Sequence, residues 1–200
     1  MTDSIRGVIY DTWPTLVALL LIFIIMRVTL YFKGEGKLVL YQEIFNMFFM
    51  VYLILLFQLV TSQDITAVHT TNFIPFKEIL RYDLGSAAFF KQVIGNIIMF
   101  LPFGYFATSY CNIKNLGTIT LVSFLSSLVI EGVQYFIGRS FDVDDIILNV
   151  VGGVIGFLLY ISFNAIWNHM PKFLRKDWLL NLLCILIVAL IGFYVFGIMF

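Results

Sequence analysis

The chain has 200 residues, 61% hydrophobic and 12% charged, and its 12 basic and 12 acidic residues cancel to a formal net charge of zero. A soluble domain of this length could not hide so much apolar surface, because a sizeable share of its residues must face water. The charge balance leaves no basic footprint for nucleic acid. Cys111 and Cys184 lie in or beside apolar segments, without the spacing of a disulfide framework or a metal site.

A hydrocarbon core needs about 20 residues of apolar helix. Six segments qualify: Pro14–Phe32, Ile44–Thr61, Gln92–Tyr110, Thr118–Ile137, Asp145–Trp167 and Leu179–Met199. The expected fold is an all-α integral membrane protein, a bundle of six transmembrane helices forming one membrane domain over residues 1–200, with a polar cluster near one membrane face. The first segment is longer than a signal-peptide core and has no small-residue cleavage site, so it reads as a retained span. Pro14 suits the first turn of that helix, where a missing N–H is harmless, with Thr12 as its cap.

Lys and Arg set orientation. Arg27, Lys33, Lys37, Lys114, Lys172, Arg175 and Lys176 fall on one side, and Arg6, Lys77, Arg81, Lys91 and Arg139 on the other. The bias favours both termini outside. In either orientation, six spans put the second and fourth loops on the same side. The Ser62–Lys91 stretch, the start of span three, the end of span four and the start of span five should therefore meet at one face.

Asn96 lies about one turn into span three, and Pro102 with Gly104 predicts a kink near its middle. Ahead of that span, the apolar segment NFIPF at Asn72–Phe76 holds a fixed turn. It lies on the interface or folds back over the bundle mouth. In span four, Thr120, Ser123, Ser127, Glu131, Gln134 and Gly138 fall within about 80° of one another. Close packing with interhelical hydrogen bonds accounts for the Ser and Thr positions. Glu131, roughly 9 Å inside the span, needs a partner, a proton or water.

Span five places Asp142, Asp145, Asn149, Gly152 and Gly156 on one face. Asp142 reads as the N-cap with Asp145 favoured in the first turn, and G-x-x-x-G at Gly152 and Gly156 reads as a helix contact. Asp144 points away from this face and reads as a solvated residue. Arg139, in the tight loop, reaches toward Glu131 on one side and Asp142 or Asp145 on the other. Its guanidinium could tie these carboxylates together or hold an anionic ligand. His69 and His169 have no partners at ligand spacing. Neither a catalytic triad order nor a phosphate-cradling glycine loop nor a zinc signature is present, and no metal or cofactor is expected.

NIIMFLPFG at Asn96–Gly104, EGVQ at Glu131–Gln134, RSFDVDDIILNVVGGVIG at Arg139–Gly156 and NFIPF at Asn72–Phe76 together resemble the VanZ-like family, over a core of Asn72–Tyr160. The resemblance implies a bacterial envelope protein of the plasma membrane. The family's named member is linked to low-level resistance to teicoplanin, a lipid-tailed glycopeptide. Carried onto this chain, the pattern marks Asn96, Pro102, Gly104, Glu131, Gln134, Arg139, Asp142, Asp145, Asn149, Gly152 and Gly156. The residues proposed for ligand binding are Asn96, Glu131, Gln134, Arg139, Asp142, Asp145 and Asn149.

Four function classes fit, the last of them a purely structural partner subunit. The first is engagement of an amphiphilic or lipid-linked small molecule within the lipid bilayer, with Arg139, Asn96 and Asn149 gripping its head. The second is an intramembrane enzyme on a lipid-linked substrate, and the third a proton-coupled transporter. The lack of an evident nucleophile ranks catalysis below binding. The Ser and Thr character of the inner stripe, without an inverted repeat, ranks transport below both.

Overall fold

The structure is a computed structural model that describes residues 2–34, 39–61 and 71–199, with side chains described for residues 13–34, 39–58, 71–190 and 192–193. It is an all-α protein. Six long helices succeed one another: α1 Thr2–Phe32, α2 Leu40–Thr61, α3 Ala87–Cys111, α4 Leu116–Phe136, α5 Val143–His169 and α6 Asp177–Met199. The first five are long and apolar enough to cross a membrane, and the apolar part of α6 among the described residues is Asp177–Leu190. His69 and Lys37 lie outside the described residues, as do the side chains of Arg6 and Thr12.

Two helix starts differ from the sequence reading. Pro14 lies inside α1, which begins at Thr2, and not in its first turn. An interior proline forfeits one backbone bond, a loss that membrane helices absorb more readily than soluble ones. α3 begins before the apolar run, at Ala87, where Ser86 Oγ caps it by accepting from Phe89 N at 3.0 Å. Its second turn, Phe90–Ile94, is a π turn, and the helix then runs unbroken through Pro102. Asn112 ends it in the left-handed region (φ 50°), where asparagine is among the few tolerated residues. Asn115 Oδ1 caps α4 by accepting from Thr118 N at 2.7 Å.

The chain divides into two units. The first comprises residues 1–54 and 165–200. Within it, Glu43 of α2 accepts a two-pronged contact from Arg27 of α1, with Arg27 Nε at 2.6 Å from Oε2. That pairing offsets the cost of placing either charge in an apolar span. Asn181 Oδ1 of α6 accepts from the Tyr41 backbone N–H at 3.0 Å.

The second unit, residues 55–164, holds α3, α4 and most of α5. Glycines set its packing. A Cβ on Gly152 would collide with the Ile97 carbonyl, one on Gly156 with the Leu101 carbonyl, and one on Gly104 with the backbone of Gly153. Gly153 in turn faces Ser123 Oγ of α4. The backbones of α3 and α5 therefore touch directly, as expected of the G-x-x-x-G spacing. Phe100, Ile119 and Phe157 fill the space around this seam and are almost wholly buried.

Candidate functional site

At one end of this unit, two loops close on each other. Residues 71–72 (β1, Thr71–Asn72) pair in parallel with residues 141–142 (β2, Phe141–Asp142), Thr71 opposite Phe141 and Asn72 opposite Asp142. The second and fourth loops thus meet on the same side, as the span count requires. The bridge is reinforced by side chains. Asn72 Nδ2 donates to Asp142 Oδ1 at 2.9 Å, and Phe73 packs on Phe141 with ring centroids 5.5 Å apart. Asn72 Oδ1 also accepts from Ile74 N at 3.2 Å, the local turn that asparagine favours.

The NFIPF segment therefore folds back toward the helix ends, and Asp144 fastens it. Asp144 Oδ1 accepts from Phe76 N at 2.5 Å, while Oδ2 accepts from Glu78 N at 2.7 Å and Ile79 N at 3.1 Å. At 1% exposure this residue is buried, which corrects its reading as a solvated one. The carboxylate satisfies three loop donors at once, and such charge-assisted bonds are the strong ones. Phe76 itself sits at φ 65°, a costly position for an aromatic residue, held by the chain on either side of it.

Beneath the bridge, the carboxylates form a hydrogen-bonded layer. Asp142 caps α5, its Oδ1 accepting from Asp144 N at 2.9 Å. Burial pushes the Asp142 carboxyl above its ordinary range, while the Asp144 N–H and the Asn72 amide pull it the other way. Glu131, 2% exposed, accepts from Asp142 N at 3.1 Å through Oε2. With its amide oriented to satisfy both neighbours, Gln134 donates to Glu131 Oε1 at 2.9 Å and accepts from the Arg139 guanidinium. Arg139 thus reaches Glu131 through Gln134, and its charge acts on both Glu131 and Asp145. The turn that carries it is made by Gly138 at φ 94°, a conformation that glycine adopts without strain.

Asn96 Nδ2 donates to Asp145 Oδ1 at 2.5 Å, joining α3 to α5. One turn deeper, Asn149 Nδ2 donates to Ser127 Oγ of α4 at 2.9 Å. Both asparagines thus bond across helices, Asn96 to a carboxylate and Asn149 to a hydroxyl. Thr120 departs from the stripe: its hydroxyl bonds back to Leu116 O, and the buried face of α4 runs Ile119, Ser123, Ser127, Glu131 and Gln134.

Over this layer opens a cavity of about 470 Å³. Of the seven residues singled out from the sequence, Arg139, Asp142 and Asp145 line it, and Asn96, Glu131, Gln134 and Asn149 stand behind the wall. The sequence reading missed the other side of the cavity, which comes from the second loop and the π turn: Thr71, Asn72, Lys77, Arg81, Tyr82 and Gln92. Only the crossover of the two loops brings these near Arg139. Arg81 is paired with Glu78 at 3.1 Å on the exposed rim. The π turn places Gln92 on the wall, in keeping with the tendency of such turns to sit at functional positions.

A helical membrane protein with a polar, loop-roofed cavity at one end of three glycine-packed helices is the class that these features define. The VanZ/LLP1 family model matches residues 43–168, more than half of the chain, and the chain belongs to that family. It is similar to Protein VanZ of Enterococcus faecium, 37% identical over 75 residues. The match covers 36% of this chain and 45% of that relative, so the chain spans less than half the length of the curated protein it matches. No solved structure matches it.

Proposed function

We propose that the chain is a plasma-membrane protein of the bacterial envelope that engages an amphiphile. The ligand is a lipid-tailed glycopeptide such as teicoplanin or a lipid-linked envelope component, and binding it contributes to antibiotic resistance or envelope maintenance. One observation carries this reading: the loop that walls the cavity also carries exposed apolar side chains, Phe73, Ile74, Phe76, Leu80 and Leu84. A polar head fits the cavity, whose volume lies in the range of small-molecule sites, while an apolar tail lies along those apolar side chains. Arg139 and Asp145 on the wall act on the head, and Glu131, Gln134 and Asn96 hold them in place.

The experiment compares wild type with Asp145→Asn in a host lacking its own homologue, with membrane expression of both verified. Susceptibility to teicoplanin is scored beside vancomycin, which lacks the lipid tail. Protection by wild type alone, and against the tailed drug alone, supports the reading and assigns Asp145 to the site. Equal susceptibility in expressing and empty hosts removes the antibiotic and leaves native envelope lipids as the ligand class.

A further inference from the structure

The loop over residues 73–84 is a strap with two unlike sides. Lys77, Glu78, Arg81 and Tyr82 line the cavity, whereas Phe73, Ile74, Phe76, Leu80 and Leu84 do not line it and are between 52% and 87% exposed. This exposure belongs to a fixed backbone. Thr71 and Asn72 are bridged to Phe141 and Asp142, Asp144 holds the N–H groups of Phe76, Glu78 and Ile79, and Ser86 caps the helix that follows. Turning the five side chains inward would break bonds to a buried carboxylate. Single apolar residues on a surface need no explanation, but five large ones on one short, anchored strap mark an interaction surface.

The position of the strap says what covers that surface. It leads into α3 and is bonded to the first turn of α5, so it lies at the level where two spans begin, the boundary between hydrocarbon and water. The apolar exposure continues from it into α3, through Phe90 at 57% and Ile98 at 60%. Beside Phe90 stands the exposed Lys91, the arrangement of a helix passing from headgroups into hydrocarbon, with the lysine stem along the lipid and its ammonium among the phosphates.

We infer that the outer side of this strap is seated in the interfacial layer of the bilayer, with its Phe, Ile and Leu side chains among the upper acyl carbons. The cavity walled by the same strap is then held at headgroup depth. The inference goes beyond the amphiphile reading, since it assigns a partner to the strap's outer side whatever the cavity holds.

The test uses the full-length protein carrying Cys111→Ala and Cys184→Ala, reconstituted in vesicles of phosphatidylcholine and phosphatidylglycerol. A nitroxide is attached at Leu80→Cys and, in a second variant, at Leu84→Cys. These are the two most exposed apolar positions of the strap, so neither substitution removes a packed side chain. Collision of the label with oxygen, which concentrates in lipid, is compared with collision with a neutral nickel chelate, which stays in water. Ile98→Cys on α3 supplies the lipid reference, and Lys114→Cys in the polar turn between α3 and α4 the water reference. The oxygen-to-nickel ratio at positions 80 and 84 should be several-fold above that at 114 and should approach that at 98.

Ratios at both positions equal to that at 114 would overturn the inference and leave the amphiphile reading standing, with the strap open to receive a tail. Labels shielded from both reagents would overturn it as well, by showing a second copy or another protein on the strap. A lipid-like ratio at position 84 alone would confine the contact to the approach to α3 and overturn the seating of the strap.

Discussion

Asp144 offers the sharpest perturbation, because one buried carboxylate holds three amides of a single loop. In Asp144→Asn only one oxygen remains as an acceptor, and the new NH2 faces donors. The substitution therefore loses the Phe76 bond or the Glu78 and Ile79 pair, and it opposes a donor to a donor. At about 1.5 kcal/mol for each charge-assisted bond, the loss is about 1.5 kcal/mol for one bond and about 3 kcal/mol for two, roughly ten- to a hundredfold in an opening equilibrium. The effect should be local, since these bonds fasten a loop and leave the α3–α5 glycine seam untouched. Hydrogen exchange followed by mass spectrometry measures it: a peptide covering residues 74–80 should lose protection by about that factor, and peptides from α4 should not change. Unchanged exchange in the loop would refute the anchoring role. Loss of protection throughout α4 and α5 would show instead that Asp144 supports the whole unit.

The glycine seam predicts a contrast within a few residues. Gly152→Ala or Gly156→Ala drives a methyl into a backbone carbonyl of α3 and should cost several kcal/mol, whereas Gly132→Ala, with nothing within 4 Å, should be neutral or stabilise α4 by about 0.5–1 kcal/mol. Thermal unfolding in detergent separates the two, and equal effects would argue against the seam. Because Gln134 stands between Arg139 and Glu131, a double-mutant cycle on the outer two should give an interaction of about 1–2 kcal/mol that vanishes in a Gln134→Leu background. Additive changes in the wild-type background would remove the relay. Burial raises the Asp142 carboxyl, so the folded state favours its neutral form. Its contribution to stability should be complete below about pH 4 and should decline as pH rises through the raised value, and Asp142→Asn should flatten that slope in pH-dependent unfolding. A slope that persists in the variant would assign it to another group.

The helices and their packing were legible because each rests on a local rule. Apolar length marks the spans, and glycine spacing marks the contact at Gly152 and Gly156. The parity of six spans correctly places the second loop with the fourth, and Glu131 stood out because a charge inside a span demands partners. Asp144 was illegible for a specific reason. A helical wheel assigns it a direction relative to α5 alone, and that direction looked like solvent. What fills it is a loop some 65 residues earlier in the chain, whose amides have no sequence signature. The faint signal was the fixed turn in NFIPF, which marks a segment with a defined shape and hence a place to sit. Lys77 and Gln92 were missed on the same ground, as their neighbourhood exists only after the loops cross. Asn96 and Asn149 each find an interhelical partner that polarity alone did not identify.

The π turn at Phe90–Ile94 has a further consequence for how this wall is encoded. A π turn is an α turn that has accommodated one extra residue. Deleting a single residue there would let the turn relax to α-helix and rotate everything ahead of it by about 100° against the rest of α3. Asn96 and the glycine seam lie beyond the turn and would keep their places, while Gln92 and Val93, within the turn, would shift on the cavity wall. The reach of α3 into the cavity is thus set by the length of the chain at one point as well as by which side chains it carries. A one-residue deletion there could redraw the cavity's inner wall while leaving every helix contact below it intact.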